Sequence, residues 1–168
     1  MKYLFSVLTL LAISANGLFA AHHANKPASV APSEGFVALF DGKTTEGWYA
    51  QPAGPQTIWK ADPKTGVLSR SLQNGYIWTE KTYGDFILDL EYKLSRRCNS
   101  GVFFRADPKN SVQGGFEIQL LDPQGQDWGK NDHGSIYDAV SPISKPAGKV
   151  GDWDKMRIRV KGDIIRVW

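Results

Sequence analysis

Side-chain alternation with a period of two is the feature that most constrains this chain. From Phe86 to Leu94, the residues Phe86, Leu88, Leu90, Tyr92 and Leu94 alternate with Ile87, Asp89, Glu91 and Lys93. Successive side chains of a strand point to opposite faces, so this segment offers one face to a core and one largely to water. Met156, Ile158 and Val160 alternate with Arg157, Arg159 and Lys161 in the same way. Shorter segments read as strands at Val37–Phe40, Thr57–Lys60, Val67–Ser69, Tyr76–Thr79, Gly101–Ala106, Phe116–Leu121 and Ile164–Trp168. Turn dipeptides separate them, among them Asp41-Gly42, Asp62-Pro63, Asn74-Gly75, Gly114-Gly115 and Gly162-Asp163. No stretch shows the 3.6-residue period of an amphipathic helix. Many short strands at this spacing predict an all-β sandwich or jelly roll.

The N-terminus follows a different rule. Lys2 precedes an apolar run from Tyr3 to about Ile13, and the small residues Ser14, Ala15, Gly17, Ala20 and Ala21 come next. That order is the layout of a secretory signal peptide, and the apolar run is short for a membrane span, which needs about 20 residues. Residues 1–21 are therefore read as a signal peptide, 22–34 as a flexible linker and 35–168 as one β-sandwich domain. The expected location is exported, periplasmic or secreted, with no membrane attachment after cleavage. The adjacent His22 and His23 sit in the linker, and no third ligand stands nearby.

About 145 residues remain, the size of one domain. A chain of that length buries enough surface to fold without staples, and the lone Cys98 can form no intrachain disulfide. The net charge of +3 comes from scattered lysines and arginines rather than from a basic run with interleaved aromatics, which argues against nucleic acid as a partner. The final hairpin, Lys155–Lys161 to Ile164–Trp168 around Gly162-Asp163, leaves a strand without a following turn. The last strands of the sandwich are expected beyond Trp168.

Parity separates the residues that could carry chemistry from those that pack. In Gly115–Leu121, Phe116, Ile118 and Leu120 share the core face, while Glu117 and Gln119 share the other, about 7 Å apart at the strand rise. In Gly101–Arg105, Val102 and Phe104 fall on one face and Gly101, Phe103 and Arg105 on the other. Paired strands would bring Glu117, Gln119 and Arg105 onto one polar patch, the mixture of donors and acceptors that a sugar needs. The loop after this strand, Asp122 to Tyr137, is long and polar. Its His133 has an ordinary pKa suited to proton transfer near neutrality, but a histidine can equally tie a loop down by hydrogen bonds. Asp122, Asp127, Asp132 and His133 match no metal-binding spacing, so no cofactor is expected, and a divalent cation has no ligand pattern to support it. Trp48, Trp59, Trp78 and Trp153 are expected in the core, and Trp128 in the polar loop.

An ordered set of segments resembles the 3-keto-disaccharide hydrolase domain family. Gly35-Phe-Val-Ala-Leu-Phe-Asp-Gly-Lys-Thr-Thr-Glu-Gly-Trp48 is similar to its opening segment. Asn99-Ser-Gly-Val-Phe-Phe-Arg105 and Gly115-Phe-Glu-Ile-Gln-Leu-Leu-Asp122 are similar to two of its strands. His133-Gly-Ser-Ile-Tyr137 resembles its histidine loop, shortened by one position. Lys145-Pro-Ala-Gly148 resembles a segment in which Trp153 follows, here after a four-residue insertion. The resemblance implies a concanavalin A-like jelly roll of two antiparallel sheets with a ligand site on the concave face. It also implies an enzyme acting on the glycosidic bond of 3-keto-glycosides, with an oligosaccharide or glycoside as partner. The reaction would be removal of the C2 hydrogen, elimination and hydration. The laminarinase-like relatives of the fold alternate acids on their catalytic strand; Gln119 stands where the next acid would be. On this reading His133, Glu117 and Arg105 are catalytic, with His133 slightly favoured as the base and Arg105 or a bound cation on the enolate oxygen. Asn99, Gln119, Asp122, Trp128, Tyr137 and Lys145 bind substrate. The alternative is a non-catalytic carbohydrate-binding module using the same face.

The leader generates the first prediction. Intact-mass measurement of the exported protein is expected to place its first residue between Leu18 and His22; mature protein that still begins at Met1 would contradict it.

Overall fold

The computed structural model describes residues 10–12, 35–51, 59–70, 75–122, 128–146 and 148–168. Among them are ten strands and no helix. In chain order these are β1 (Leu10–Ala12), β2 (Trp48–Gln51), β3 (Trp59–Asp62), β4 (Val67–Arg70), β5 (Tyr76–Thr79), β6 (Phe86–Leu94), β7 (Asn99–Phe104), β8 (Phe116–Leu121), β9 (Trp153–Lys161) and β10 (Ile164–Val167). The expected all-β sandwich of antiparallel sheets is what the chain forms. A large sheet has the order β10-β9-β6-β1-β4-β3, and the opposite layer is built from the pairs β2–β5 and β7–β8.

The core lies between the layers and is made by one parity of each strand. Leu90, Tyr92 and Leu94 of β6, Met156, Ile158 and Val160 of β9, and Leu68 of β4 face Phe104 of β7 and Ile118 and Leu120 of β8. Phe104 joins the layers, edge-on to Phe86 of β6 and stacked on Phe116 of β8. Phe116 is on the expected face but stands at the strand's end and is 40% exposed, so it caps the core rather than filling it. Cys98 is buried, and burial pushes its thiol up to about 11, which makes it an inert packing residue.

Three local expectations are corrected. Val37–Phe40 forms no strand; an Asp41 turn, with the Lys43 and Thr44 amides on its carboxylate, follows at once, and the Trp48 indole N–H bonds the Leu39 carbonyl. The strand falls instead at Trp48–Gln51, launched by Gly47 at a φ of 80°. The strand expected at Gly101–Ala106 begins at Asn99 and ends at Phe104, because Arg105 takes a φ of 47° and leaves the sheet. Trp78 and Trp153 are not core residues; Trp78 alternates with Ile77, which packs against the core, and Trp153 shares the outward parity of Lys155 and Arg157. β10 is the edge strand of the large sheet. β1 falls within the expected leader and runs parallel to both β4 and β6, the departure from antiparallel pairing. The linker at 22–34, with His22 and His23, and the rest of the expected leader lie outside the described residues.

Candidate functional site

β7 and β8 pair in register, Asn99 with Leu121, Gly101 with Gln119, Phe103 with Glu117. Directly paired residues share a face, so these six lie together, opposite the buried Val102, Phe104, Ile118 and Leu120 side. The β2–β5 pair extends the same face. The Phe103 ring sits 5.3 Å from Tyr76, edge-on, and 5.9 Å from Trp78, and Tyr49 is paired with Trp78. On the other flank, the segment after His133 runs along β8 as an added strand. Gln119 N donates to Ser135 O, Tyr137 N to Glu117 O, and Ile118 bridges Ile136. Ile136 packs on the core, so alternation sets Ser135 and Tyr137 on the site's side. The result is a sheet face with an aromatic floor at one side and polar groups at the other.

Glu117 is the group that this arrangement perturbs. Its side chain leans over Gly101 on the neighbouring strand, where any Cβ would collide with the carboxylate. Gly101 is an ordinary extended residue, so a glycine there is needed for room rather than for backbone freedom. Among the described residues no cation or hydrogen-bond donor reaches that carboxylate, and burial pushes its pKa up to about 7. Beside it, Gln119 is 4% exposed and Ser135 1%, and among the described residues Gln119 Oε1 and Ser135 Oγ have no hydrogen-bond partner. Among the same residues the buried indole N–H of Trp78 has no acceptor.

His133 does not join this face. It is 4% exposed and both ring nitrogens are engaged. The Leu121 N–H donates to Nδ1 at 3.2 Å, which leaves the imidazole proton on Nε2; that N–H meets Tyr92 Oη at 3.1 Å, and the Tyr92 hydroxyl donates to Asp154 Oδ2 at 3.0 Å. Burial lowers the His133 pKa against the pull of Asp154. Leu121 is four residues from Glu117, about 13 Å along the strand. The ring thus ties the loop and β8 to β6 and β9 across the sandwich, the tethering role that the sequence had left open beside catalysis.

The expected meeting of Arg105 with Glu117 and Gln119 is also corrected. Once φ turns positive the parity of β7 no longer aims the side chain. Arg105 donates to the Gly162 carbonyl at 2.7 Å and pairs with Asp85 at 3.3 Å, at the turn of the β9–β10 hairpin. Asp122 is turned away as well: its carboxylate accepts the Arg97 N–H at 2.6 Å and holds the β6–β7 turn, where Arg97 has a φ of 58°. Asn99 is exposed at the end of the site face, Tyr137 is half-buried beside Glu117, and Trp128 and Lys145 are exposed in the loops. Asp127 lies outside the described residues, and Asp132 accepts the Gly129 N–H of its own loop. Among the described residues no group of three or more His, Cys, Asp or Glu side chains converges as a metal site. Sequence reasoning placed Gly101 and Phe103 on this face without giving them a role and missed Trp78 and Ser135 as parts of it; the glycine inside a strand was the available signal.

The family model for the 3-keto-alpha-glucoside-1,2-lyase-like domain matches residues 35–168. The chain belongs to this family. It is 26% identical over 161 aligned residues to a 3-keto-disaccharide hydrolase of Bacteroides thetaiotaomicron, an alignment covering 79% of this chain and 55% of the relative. The chain thus spans about half the length of that curated relative. Among solved structures it resembles two candidate glycosyl hydrolases of Parabacteroides distasonis. One has a TM-score of 0.67 and 24% identity over 79% of this chain and 66% of that one, a likeness of fold. The other has a TM-score of 0.65 and 31% identity over 77% and 64%.

In this lyase-like domain the His133 tether has a pH signature. The folded-state pKa is depressed below the unfolded value, so its contribution is complete above about pH 6.5 and is lost as pH falls through the folded pKa. His133→Ala is expected to cost about 2–4 kcal/mol at pH 7.5, since it leaves the Leu121 N–H without its acceptor and the Tyr92 oxygen without the His133 donor. Urea unfolding of both proteins should show the gap narrowing below pH 6; a gap under about 0.5 kcal/mol at pH 7.5 would contradict the tether.

Proposed function

We propose that this domain cleaves glycosides already oxidised to a ketone at C3, in an exported compartment, with Glu117 as the base. The observation that carries the reading is the unneutralised, half-buried Glu117 carboxylate, raised to about 7, on a face floored by Tyr76, Trp78 and Phe103. A base works best with a pKa near the operating pH, and a raised pKa makes a carboxylate a stronger base toward a carbon acid. A ketone at C3 acidifies the hydrogen on C2. The Glu117 carboxylate takes that proton, and the C2–H electron pair becomes the enolate at C3. The enolate re-forms the ketone as a C1=C2 bond forms and the C1–O bond breaks, and the aglycone oxygen leaves with the proton that Glu117 took up, which restores the carboxylate. Water then adds, hydroxyl to C1 and hydrogen to C2. The aromatic floor suits the apolar face of a sugar ring.

This reading moves the base from His133 to Glu117, because both nitrogens of His133 are committed across the sandwich. It also removes Arg105 from the enolate oxygen. Among the described residues the Trp78 indole N–H and the Ser135 hydroxyl are donors without an acceptor, and they are candidates for that oxygen. Gln119 and Asn99 remain candidates for sugar hydroxyls; Asp122 is assigned to the turn that it holds. The family and the Bacteroides relative support the substrate class. Glu117→Gln is expected to lower kcat on a 3-keto-glucoside about 10²- to 10⁴-fold while the protein still binds sugar. The same variant should be the more stable one above pH 7, where the wild type carries a buried charge, and lose that advantage near pH 5. Near-normal turnover by the variant would overturn the assignment. Sugar binding by the wild type without turnover would favour the carbohydrate-binding module.

A further inference from the structure

The face of the large sheet that points away from the core carries an unusual charge distribution. β9 presents Lys155, Arg157, Arg159 and Lys161 outward, in alternation with the buried Met156, Ile158 and Val160. Register sets Arg166 of β10 directly opposite Arg159, and Ile87, Asp89, Glu91 and Lys93 of β6 opposite Arg159, Arg157, Lys155 and Trp153. The three strands therefore hold six cations and two carboxylates on one face, a net charge of +4 where the whole chain carries +3. Both carboxylates are already matched. Asp89 takes both oxygens to Arg157 at 2.6 Å, and Lys155 meets Glu91 at 3.3 Å. Lys93 lies 5.9 Å from the centroid of the Trp153 ring. Among the described residues no salt bridge forms to Arg159, Arg166 or Lys161. At the hairpin end Asp85 is held by Arg105 and the Gly162 N–H, and Asp163 lies in the turn itself.

Like charges directly opposite one another weaken a strand pair. Guarding the sheet edge against pairing with another chain would be served by charges on β10 alone. It does not require an arginine at the facing position of β9, an inner strand. We propose that this face binds an acidic polysaccharide, with the Arg159–Arg166 pair receiving a carboxylate of the glycan. Two guanidinium forks side by side fit a planar carboxylate bidentately, which point-charge lysines do not. Cations recur along β9 every two residues, about 6.8 Å apart, so an extended chain of acid sugars lying along the strand meets several in turn. The surface is on the opposite sheet from Glu117, and it would hold the protein on a glycan while leaving the other face free. A bilayer of anionic lipid would read the same net charge without regard to arginine geometry, and this difference separates the two.

The test is retention and titration of the full-length protein on polygalacturonate, with neutral dextran and phosphatidylglycerol vesicles as the other arms. The wild type is expected to bind polygalacturonate and not dextran, and to be released as salt rises from about 50 to 500 mM. Arg159→Ser/Arg166→Ser should weaken binding about tenfold or more, and Arg159→Lys/Arg166→Lys, which keeps the charge, should still weaken it several-fold. Neither double variant should alter turnover of a 3-keto-glucoside, and the serine pair should melt no lower than the wild type, since it relieves a repulsion. Undiminished polygalacturonate binding by the serine pair, or no preference for it over dextran, would overturn the proposal. So would stronger binding to the vesicles that the lysine pair retains in full.

Discussion

Alternation along a strand couples the core of this protein to its site. β8 cannot bury Ile118 and Leu120 without presenting Glu117 and Gln119 on the opposite face. β7 cannot bury Val102 and Phe104 without presenting Gly101 and Phe103 beside them. The stability of the sandwich therefore fixes the register of the site. A one-residue slip would bury the carboxylate in the core and expose Ile118, so the packing energy of the core forbids it. His133 reinforces this at the far end of β8, where its bonds to Leu121 N and Tyr92 bind the loop and both layers.

Within that frame the Glu117 carboxylate is held in a costly state. It has room only because Gly101 lacks a Cβ, and it sits close enough to Gln119 and the aromatic floor to lose much of its water. No positive charge offsets the loss among the described residues. A group whose ionisation is opposed in the fold and which nonetheless titrates near neutrality is what a base for a carbon acid needs. The opposite sheet has the converse property: cations exceed acids on its outer face, and two arginines stand opposed.

The fold was legible because its cause is written residue by residue. The parity of Phe86–Leu94, Met156–Val160 and Phe116–Leu121 states which side packs, and those strands lie where parity sets them. Parity stops at a strand end, and there the sequence reading missed. Arg105 looks like a residue of the site face until its φ of 47° turns it to Gly162 and Asp85. No short-range pattern distinguishes that arginine from one still in the strand. Asp122, expected to bind substrate, lies one residue beyond β8 and is turned to the Arg97 amide instead. For His133, chemistry alone left acid–base and tethering roles evenly matched. What decides between them is Tyr92, 41 residues away in sequence, and no local window contains it. Val37–Phe40 has strand composition, but Asp41 and the Trp48 indole claim the backbone around it.

The account depends on Glu117 being a desolvated carboxylate that titrates near neutrality. Carbon-13 NMR of the side-chain carboxyl in glutamate-labelled protein, assigned by difference against Glu117→Gln, measures that directly. The predicted result is one glutamate titrating at about pH 7, displaced from the rest and absent from the variant. A Glu117 carboxyl titrating with the other glutamates near pH 4.5 would contradict the account.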